Sequence, residues 1–166
     1  LINWGRRELQ PKVYDNSNMT WEKMLEFIEL HTRVAGRKTR PNETWRRQFE
    51  IIQGEGAFVI YGHFNSELVS AGYFSLSDTN CHYGFSASLR KHFDKPLFHV
   101  LMWNAILHAK KIGCHWFEIG EQLYPNHPSN PVASKKELGI STFKAGFGGR
   151  TRAFMDLKLD LSIFNL

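Results

Sequence analysis

The chain has 166 residues, two cysteines, 42% hydrophobic residues and a formal net charge of +5. A length of this order argues for one domain with its own core, needing neither disulfides nor a structural metal. The ordinary composition excludes extensive disorder, and no apolar run reaches the roughly 18–20 residues that span a bilayer. Two cysteines cannot build a disulfide framework, so a reducing, cytoplasmic setting is expected. The chain opens on Leu1 rather than methionine, which reads as a processed or excised piece, from which an N-terminal signal could be missing. The charge excess is mild and favours phosphate-bearing partners slightly. Thirteen phenylalanines predict a core dense in large rings, or a cleft lined by them.

In chain order, residues 8–15 (ELQPKVYD) suit an edge strand, the only strand position that tolerates Pro11. Trp21, Met24, Leu25, Ile28 and Ala35 recur at helical spacing over residues 20–35, with Glu22 in the first turn and Gly36 as the stop. A second helix is expected over residues 43–53, capped by Asn42, with Trp45, Phe49 and Ile52 inward and Gly54 at its end. The period then changes. Residues 57–64 (AFVIYGHF) and 67–76 (ELVSAGYFSL) form a hairpin about Asn65-Ser66, and Asp78-Thr79-Asn80 turns the chain into a third strand at 81–87. A helix follows over residues 96–112, with Pro96 in its first turn and Gly113 past its end. Asn104, His108 and Lys111 are its only wet stripe, so it is expected to be buried on most sides. A short strand at 115–119 (HWFEI), a long loop over 120–136, a helix at about 135–144 and a strand at 151–159 complete the chain.

Strand 81–87, the buried helix and strand 115–119 make a strand–helix–strand crossover, whose strands should be parallel and whose connection should be right-handed. Ligands in such sheets bind outside the carboxyl ends of the parallel strands. This places a candidate site at Ser86, Ala87 and Ser88 on one side and at Glu118, Gly120, Glu121 and Gln122 on the other, with Phe143 and Lys144 of the last helix closing over it. Tyr124 and His127 in the proline-rich loop suggest a wall. Cys81-His82 and Cys114-His115 open two neighbouring strands, but alternation points each dipeptide to opposite faces, and no CxxC or HxxxH spacing is present, so no metal site is expected. The run GFGGRTR follows a helix and enters a strand, the reverse of a phosphate loop, and its glycines read as turn residues. Arg150 and Arg152 can still line the site.

Two segments carry a resemblance. PLFHVLMWNAILHAKKIGCHWFEIGE is similar to the central helix and following strand of the FemABX aminoacyltransferases, and GISTFKAGFGG resembles that family's closing helix, with Phe-Lys followed shortly by Gly-Phe-Gly. The element order from about residue 9 to 159 resembles the GNAT acyltransferase fold on which FemABX proteins are built. The resemblance implies an α/β (α+β) GNAT-like fold, a mixed central sheet flanked by helices. FemABX proteins carry two such domains. Residues 9–166 would be the C-terminal copy, and residues 1–8 the end of a linker from a missing N-terminal domain. GNAT enzymes grip the acyl-CoA pyrophosphate on a glycine-rich loop opening a helix. Residues 88–96 (SLRKHFDKP) have no glycine, which matches FemABX members that take the acyl group from aminoacyl-tRNA. Arg90, Lys91 and Lys95 can meet phosphate by charge, or form a solvated basic loop.

The resemblance implies that Lys144 and Phe143 lie by the reacting centre, where a lysine stabilises the oxyanion of an acyl-transfer intermediate or holds an acceptor carboxylate. Glu121 or Glu118 can take the proton that an attacking amine must lose, with Glu118 the more structural of the two. The expected catalytic residues are Lys144, Glu121 and Phe143. Those expected to bind substrate are Ser86, Ala87, Ser88, Arg90, Lys91, Lys95, Gln122, Tyr124 and Arg150. The expected function is acyl or aminoacyl transfer to an amine acceptor in cell-wall or surface-polysaccharide precursor biosynthesis. The donor is aminoacyl-tRNA or acyl-CoA, the acceptor is a small molecule or a glycan precursor, and no cofactor is held. Acyl-CoA-dependent N-acetylation of an amino sugar and a non-catalytic binding half of a two-domain protein stay open beside it.

Overall fold

The computed structural model describes residues 1–123 and 133–153. Two compact units, residues 1–120 and 121–166, are treated separately. The first contains α1 (Ile2–Glu8), β1 (Lys12–Tyr14), α2 (Trp21–Ala35), α3 (Asn42–Gln53), β2 (Ala57–Phe64), β3 (Glu67–Leu76), β4 (Asn80–Ser88), α4 (Leu97–Lys111) and β5 (Trp116–Glu118). The second contains α5 (Lys135–Ala145).

The five strands lie in chain order, antiparallel from β1 to β4 and parallel between β4 and β5. This is the expected mixed sheet with helices on both faces. The hairpin forms as read from the sequence. Asn65 and Ser66 both take positive φ, 50° and 63°, the conformation that a two-residue hairpin turn demands.

The two sheet faces bury different rings. On one, Phe27 of α2 stacks on Phe85 at 5.5 Å and meets Trp45 of α3 and Tyr61 of β2. On the other, Phe58 meets His108 of α4 at 4.6 Å, and Tyr83 meets Phe98 at 5.5 Å. Phe27, Phe58, Tyr61 and Phe74 are fully buried, so the aromatic excess is largely core. Burial raises the Tyr61 pKa, and its hydroxyl donates to the Lys23 carbonyl at 2.5 Å.

Several sequence expectations are corrected. Residues 2–8 form a helix seated on α4, and the edge strand shrinks to Lys12–Tyr14. On α2 the buried row is Met24, Phe27 and Leu30, while Leu25 is 48% exposed. Both rows obey helical spacing, and the Phe27–Phe85 stack selects between them. Asn42 is the first residue of α3 rather than its cap. Pro41 holds that position, without a capping side chain. On α4 the wet stripe turns. Asn104 donates back to the Val100 carbonyl at 2.8 Å and His108 packs on Phe58, leaving Leu107, Lys110 and Lys111 exposed. A histidine offers an apolar ring as readily as a polar tip, and only the sheet decides which is used. Most of the 151–159 strand and part of the 120–136 loop lie outside the described residues.

Glycines that face α4 set how closely it packs. A Cβ on Gly5 would stand 2.4 Å from Val100, and one on Gly72 would stand 2.8 Å from the Phe98 ring. Gly72→Ala is therefore expected to lower stability by about 1–3 kcal/mol, the usual cost of overpacking a filled core, read from the urea midpoint. An unchanged midpoint would show that Phe98 yields without strain.

His31, His63, His99 and His108 all have pKa values lowered chiefly by burial, from an ordinary 6.5. The unfolded chain then binds more protons than the native one as pH falls through 6.5. Their contribution is complete above that pH and declines below it. Melting temperatures taken from pH 7.5 down to about 5 are expected to fall steadily below about 6.5. A flat profile would contradict the assignment.

Candidate functional site

The expected site residues divide between the two units. In residues 1–120, β4 and β5 share three parallel rungs, Asn80↔Trp116, Cys81↔Phe117 and His82↔Glu118. β5 then stops, while β4 continues to Ser88. Residues 83–88 thus have no partner strand on that side among the described residues. A bulge sits at the same point: Phe74 pairs with Tyr83 and Tyr73 with Phe85, leaving Gly84 without an opposite residue. Bulges bend and twist a strand and re-aim its side chains. The sheet therefore opens at the carboxyl ends of its two parallel strands, where the crossover reading placed the ligand.

The side chains along this opening are largely engaged. The Ser86 hydroxyl bonds Tyr83 Oη at 2.6 Å, Ser88 bonds Ser70 at 2.7 Å, and Ala87 is buried. Burial holds Tyr83 above its ordinary pKa, so its phenol is neutral. What residues 86–88 offer a ligand is main chain rather than hydroxyls.

The following basic segment forms a short 3₁₀ turn over Arg90–His92. Lys91 Nζ lies 2.7 Å from Glu67 Oε2, and Glu67 also pairs with Arg33 at 2.9 Å. Lys95 pairs with Asp94 at 2.5 Å. Arg90 is exposed and has no carboxylate partner among the described residues. Helix α4 begins at once after this segment, with no capping side chain and no acidic residue in its first turn. The positive end of its dipole follows directly on this basic segment.

The last rung holds a pair that sequence reasoning missed. His82 Nδ1 lies 3.6 Å from Glu118 Oε1, and Asn80 Nδ2 donates to Glu118 Oε2 at 3.5 Å. Glu118, expected to be the more structural of the two glutamates, thus has its side chain beside His82 and Asn80. Its partner was readable from the expected parallel pairing of the two strands, had their register been known.

In residues 121–153, Ser134 and Glu137 form a capping box at the start of α5. Buried Ser141 ties down the preceding segment, its hydroxyl accepting from Leu123 N at 3.0 Å and its carbonyl from Gln122 Nε2 at 3.2 Å. One turn further along, Lys144 Nζ donates to the Glu121 carbonyl at 2.7 Å. Glu121, Gln122 and Lys144 are thus brought together, and two ammonium protons remain for other acceptors. Burial lowers the Lys144 pKa, and the Glu121 charge opposes the shift. Phe143 meets Phe147 edge-on at 5.1 Å. Arg150 is exposed after Gly148 and Gly149, whose φ values of 76° and 106° suit turn glycines. Tyr124 lies outside the described residues. Among the described residues, no three His, Cys, Asp or Glu side chains converge in a way that would hold a metal ion. Nor is any helix there long and apolar enough to cross a membrane.

No protein-family model matches the chain, and no curated protein matches it at a significant level. Solved structures do. An aminoglycoside acetyltransferase from an uncultured soil metagenomic sample, in complex with sisomicin, aligns with a TM-score of 0.65 at 8% identity, over 93% of this chain and 98% of that one. A GNAT family acetyltransferase from Staphylococcus aureus aligns at 0.56 and 11% identity, over 91% and 99%. An aminoglycoside N-acetyltransferase in complex with CoA aligns at 0.58 and 11% identity, over 89% and 94%. At such identities the likeness speaks for the fold: a mixed five-stranded sheet flanked by helices, in the arrangement of the GNAT acetyltransferases.

Proposed function

We propose that the chain is an acyl-CoA-dependent N-acyltransferase. The observation that carries this reading is the opened sheet, in which β4 runs past the end of β5 at the carboxyl ends of two parallel strands. A free strand edge offers main-chain N–H and C=O groups at regular spacing, and an extended ligand with amide groups adds to it as another strand would. The pantetheine arm of CoA is such a ligand. The uncapped start of α4 and the neighbouring Arg90, Lys91 and Lys95 suit the phosphates at its other end. The likeness to an N-acetyltransferase in complex with CoA supports the same donor, and the likeness to aminoglycoside acetyltransferases supports an amine as acceptor.

In the reaction the acceptor nitrogen attacks the thioester carbonyl, the C–S bond breaks, and CoA leaves as a thiolate, which the proton given up by the amine then neutralises. The amine gives up one proton as the amide forms. In this reading the Lys144 ammonium stabilises the negative charge developing on the carbonyl oxygen, Glu121 takes the proton, and Phe143 packs beside them. The FemABX-like block at Phe143-Lys144 and the meeting of Lys144 with residue 121 support these roles. The glycine-free segment 88–96 favours a second reading, FemABX-like aminoacyl transfer from aminoacyl-tRNA to a cell-wall or surface-polysaccharide precursor.

Acetyl-CoA at about 100 times its dissociation constant is expected to stabilise the protein by about 2.7 kcal/mol, seen as a rise in melting temperature. No shift with any acyl-CoA, beside a shift with aminoacyl-tRNA, would exchange the first reading for the second. No shift with either would sink acyl transfer altogether.

Lys144→Met is expected to lower kcat about 100-fold, the usual cost of losing a charge-stabilising donor. Glu121→Gln should leave the Lys144 hydrogen bond intact, since that bond goes to a main-chain carbonyl. The same change removes the one charge that opposes the lowering of the Lys144 pKa, so the lysine should titrate lower still, as NMR of its Nζ would record. Full kcat in Lys144→Met would remove this lysine from the chemistry and leave it the anchor of residue 121.

A further inference from the structure

Arg40 lies in the six-residue connection between α2 and α3, Gly36–Pro41 (GRKTRP), which carries three cations and no carboxylate. Its guanidinium carbon sits 3.8 Å from the centre of the Phe85 ring and 5.1 Å from that of Trp45. The flat cation is thus held against aromatic faces in a set orientation. Nη1 is covered and has no hydrogen-bond acceptor among the described residues. Burial lowers the Arg40 pKa and no neighbouring carboxylate opposes it. Buried donors are nearly always paired, and the side chain as a whole is part-buried rather than enclosed, so a ligand can reach the rest of the guanidinium.

The surroundings do not supply the missing anion. His31 packs edge-on against Trp45 at 5.3 Å and Phe85 at 6.0 Å. Its Nδ1 shares a hydrogen bond with Thr39 Oγ1 at 3.2 Å. Burial, and secondarily the Arg40 charge, keep this histidine neutral. Phe85 follows the bulged Gly84 and belongs to the stretch of β4 that has left β5. Arg40 is therefore a cation held against rings, with no carboxylate partner among the described residues, beside the strand segment that lines the opening of the sheet.

We propose that Arg40 is the anion-binding subsite of the acceptor, and that the acceptor is an amine bearing a carboxylate or phosphate group. The proposal rests on the N-acyltransferase reading and narrows its substrate class. A guanidinium held against rings and without a carboxylate partner among the described residues suits the paired oxygens of either group. A polycationic amine such as an aminoglycoside would instead meet like charge from Arg37, Lys38 and Arg40, so this chain is assigned acceptors different from those in its structural neighbours.

Binding is tested first without any acyl donor. Inorganic phosphate and succinate, each compared with chloride at equal ionic strength, are titrated against melting temperature and amide chemical shifts. At least one is expected to bind, with affinity falling about tenfold or more in Arg40→Met and partly restored in Arg40→Lys, as for loss of a charge-assisted pair. The stronger of the two identifies the anion. No saturable binding of either to the wild type, or equal binding by Arg40→Met, overturns the subsite whatever the enzyme turns over.

Acetylation is then followed by thiol release with glucosamine 6-phosphate and glutamate set against glucosamine and sisomicin. An anionic amine is expected to have at least about a tenfold advantage in kcat/KM, carried mainly by KM and lost in Arg40→Met. A higher kcat/KM for sisomicin or glucosamine overturns the substrate assignment. Arg40-dependent anion binding without turnover of any amine would overturn the acyltransferase reading and leave the anion site standing.

Discussion

The structure depends on how closely α4 can lie on the sheet. Gly72 in β3 and Gly5 in α1 leave room for Phe98 and Val100, and a side chain at either position would stand within 3 Å of them. Because protein interiors are packed to crystal-like density, this contact fixes more than stability. It sets where the first turn of α4 ends relative to the carboxyl end of β4, and so where the helix dipole and the basic segment 90–95 stand beside the open edge.

That open edge is produced by two local events at one place. β5 ends at Glu118, one rung after Phe117 has packed toward Phe74, and β4 bulges at Gly84. Without the bulge, β4 would continue flat. Without the early end of β5, its edge would be paired and closed. Main-chain groups made available this way need no special residue types, which is why Ser86 and Ser88 can turn their hydroxyls inward to Tyr83 and Ser70.

Charge is distributed unevenly around this frame. Lys91, Lys95 and Arg33 each have a carboxylate close by, and exposed pairs of this kind exchange readily for other partners because they are worth little. Arg40 differs in kind, since its setting is aromatic and its covered donor has no acceptor among the described residues. In residues 121–153 the logic is again structural. Ser141 and Lys144, one turn apart on α5, hold residues 121–123 through three hydrogen bonds, two to main chain and one to the Gln122 side chain.

The sequence by itself determined the elements and much of their order. Period-2 runs at 57–64 and 67–76, the Asn65-Ser66 turn, the glycine stops and the apolar run over 97–111 are local signals, and each became the element expected. The crossover predicted parallel pairing of β4 and β5, because chain order constrains parallel topology, and the sheet opens at the carboxyl ends of these strands. The tertiary structure alone decided which of two helical stripes α2 buries, whether His108 is wet or packed, that residues 2–8 dock on α4, and that His82 meets Glu118. It also singled out Arg40 from 21 lysines and arginines. Spacing along a chain reports what a residue can do. Only the neighbours brought from distant segments, such as Phe85 from 45 positions onward (Arg40 to Phe85), determine whether its charge is screened, paired or left unmatched.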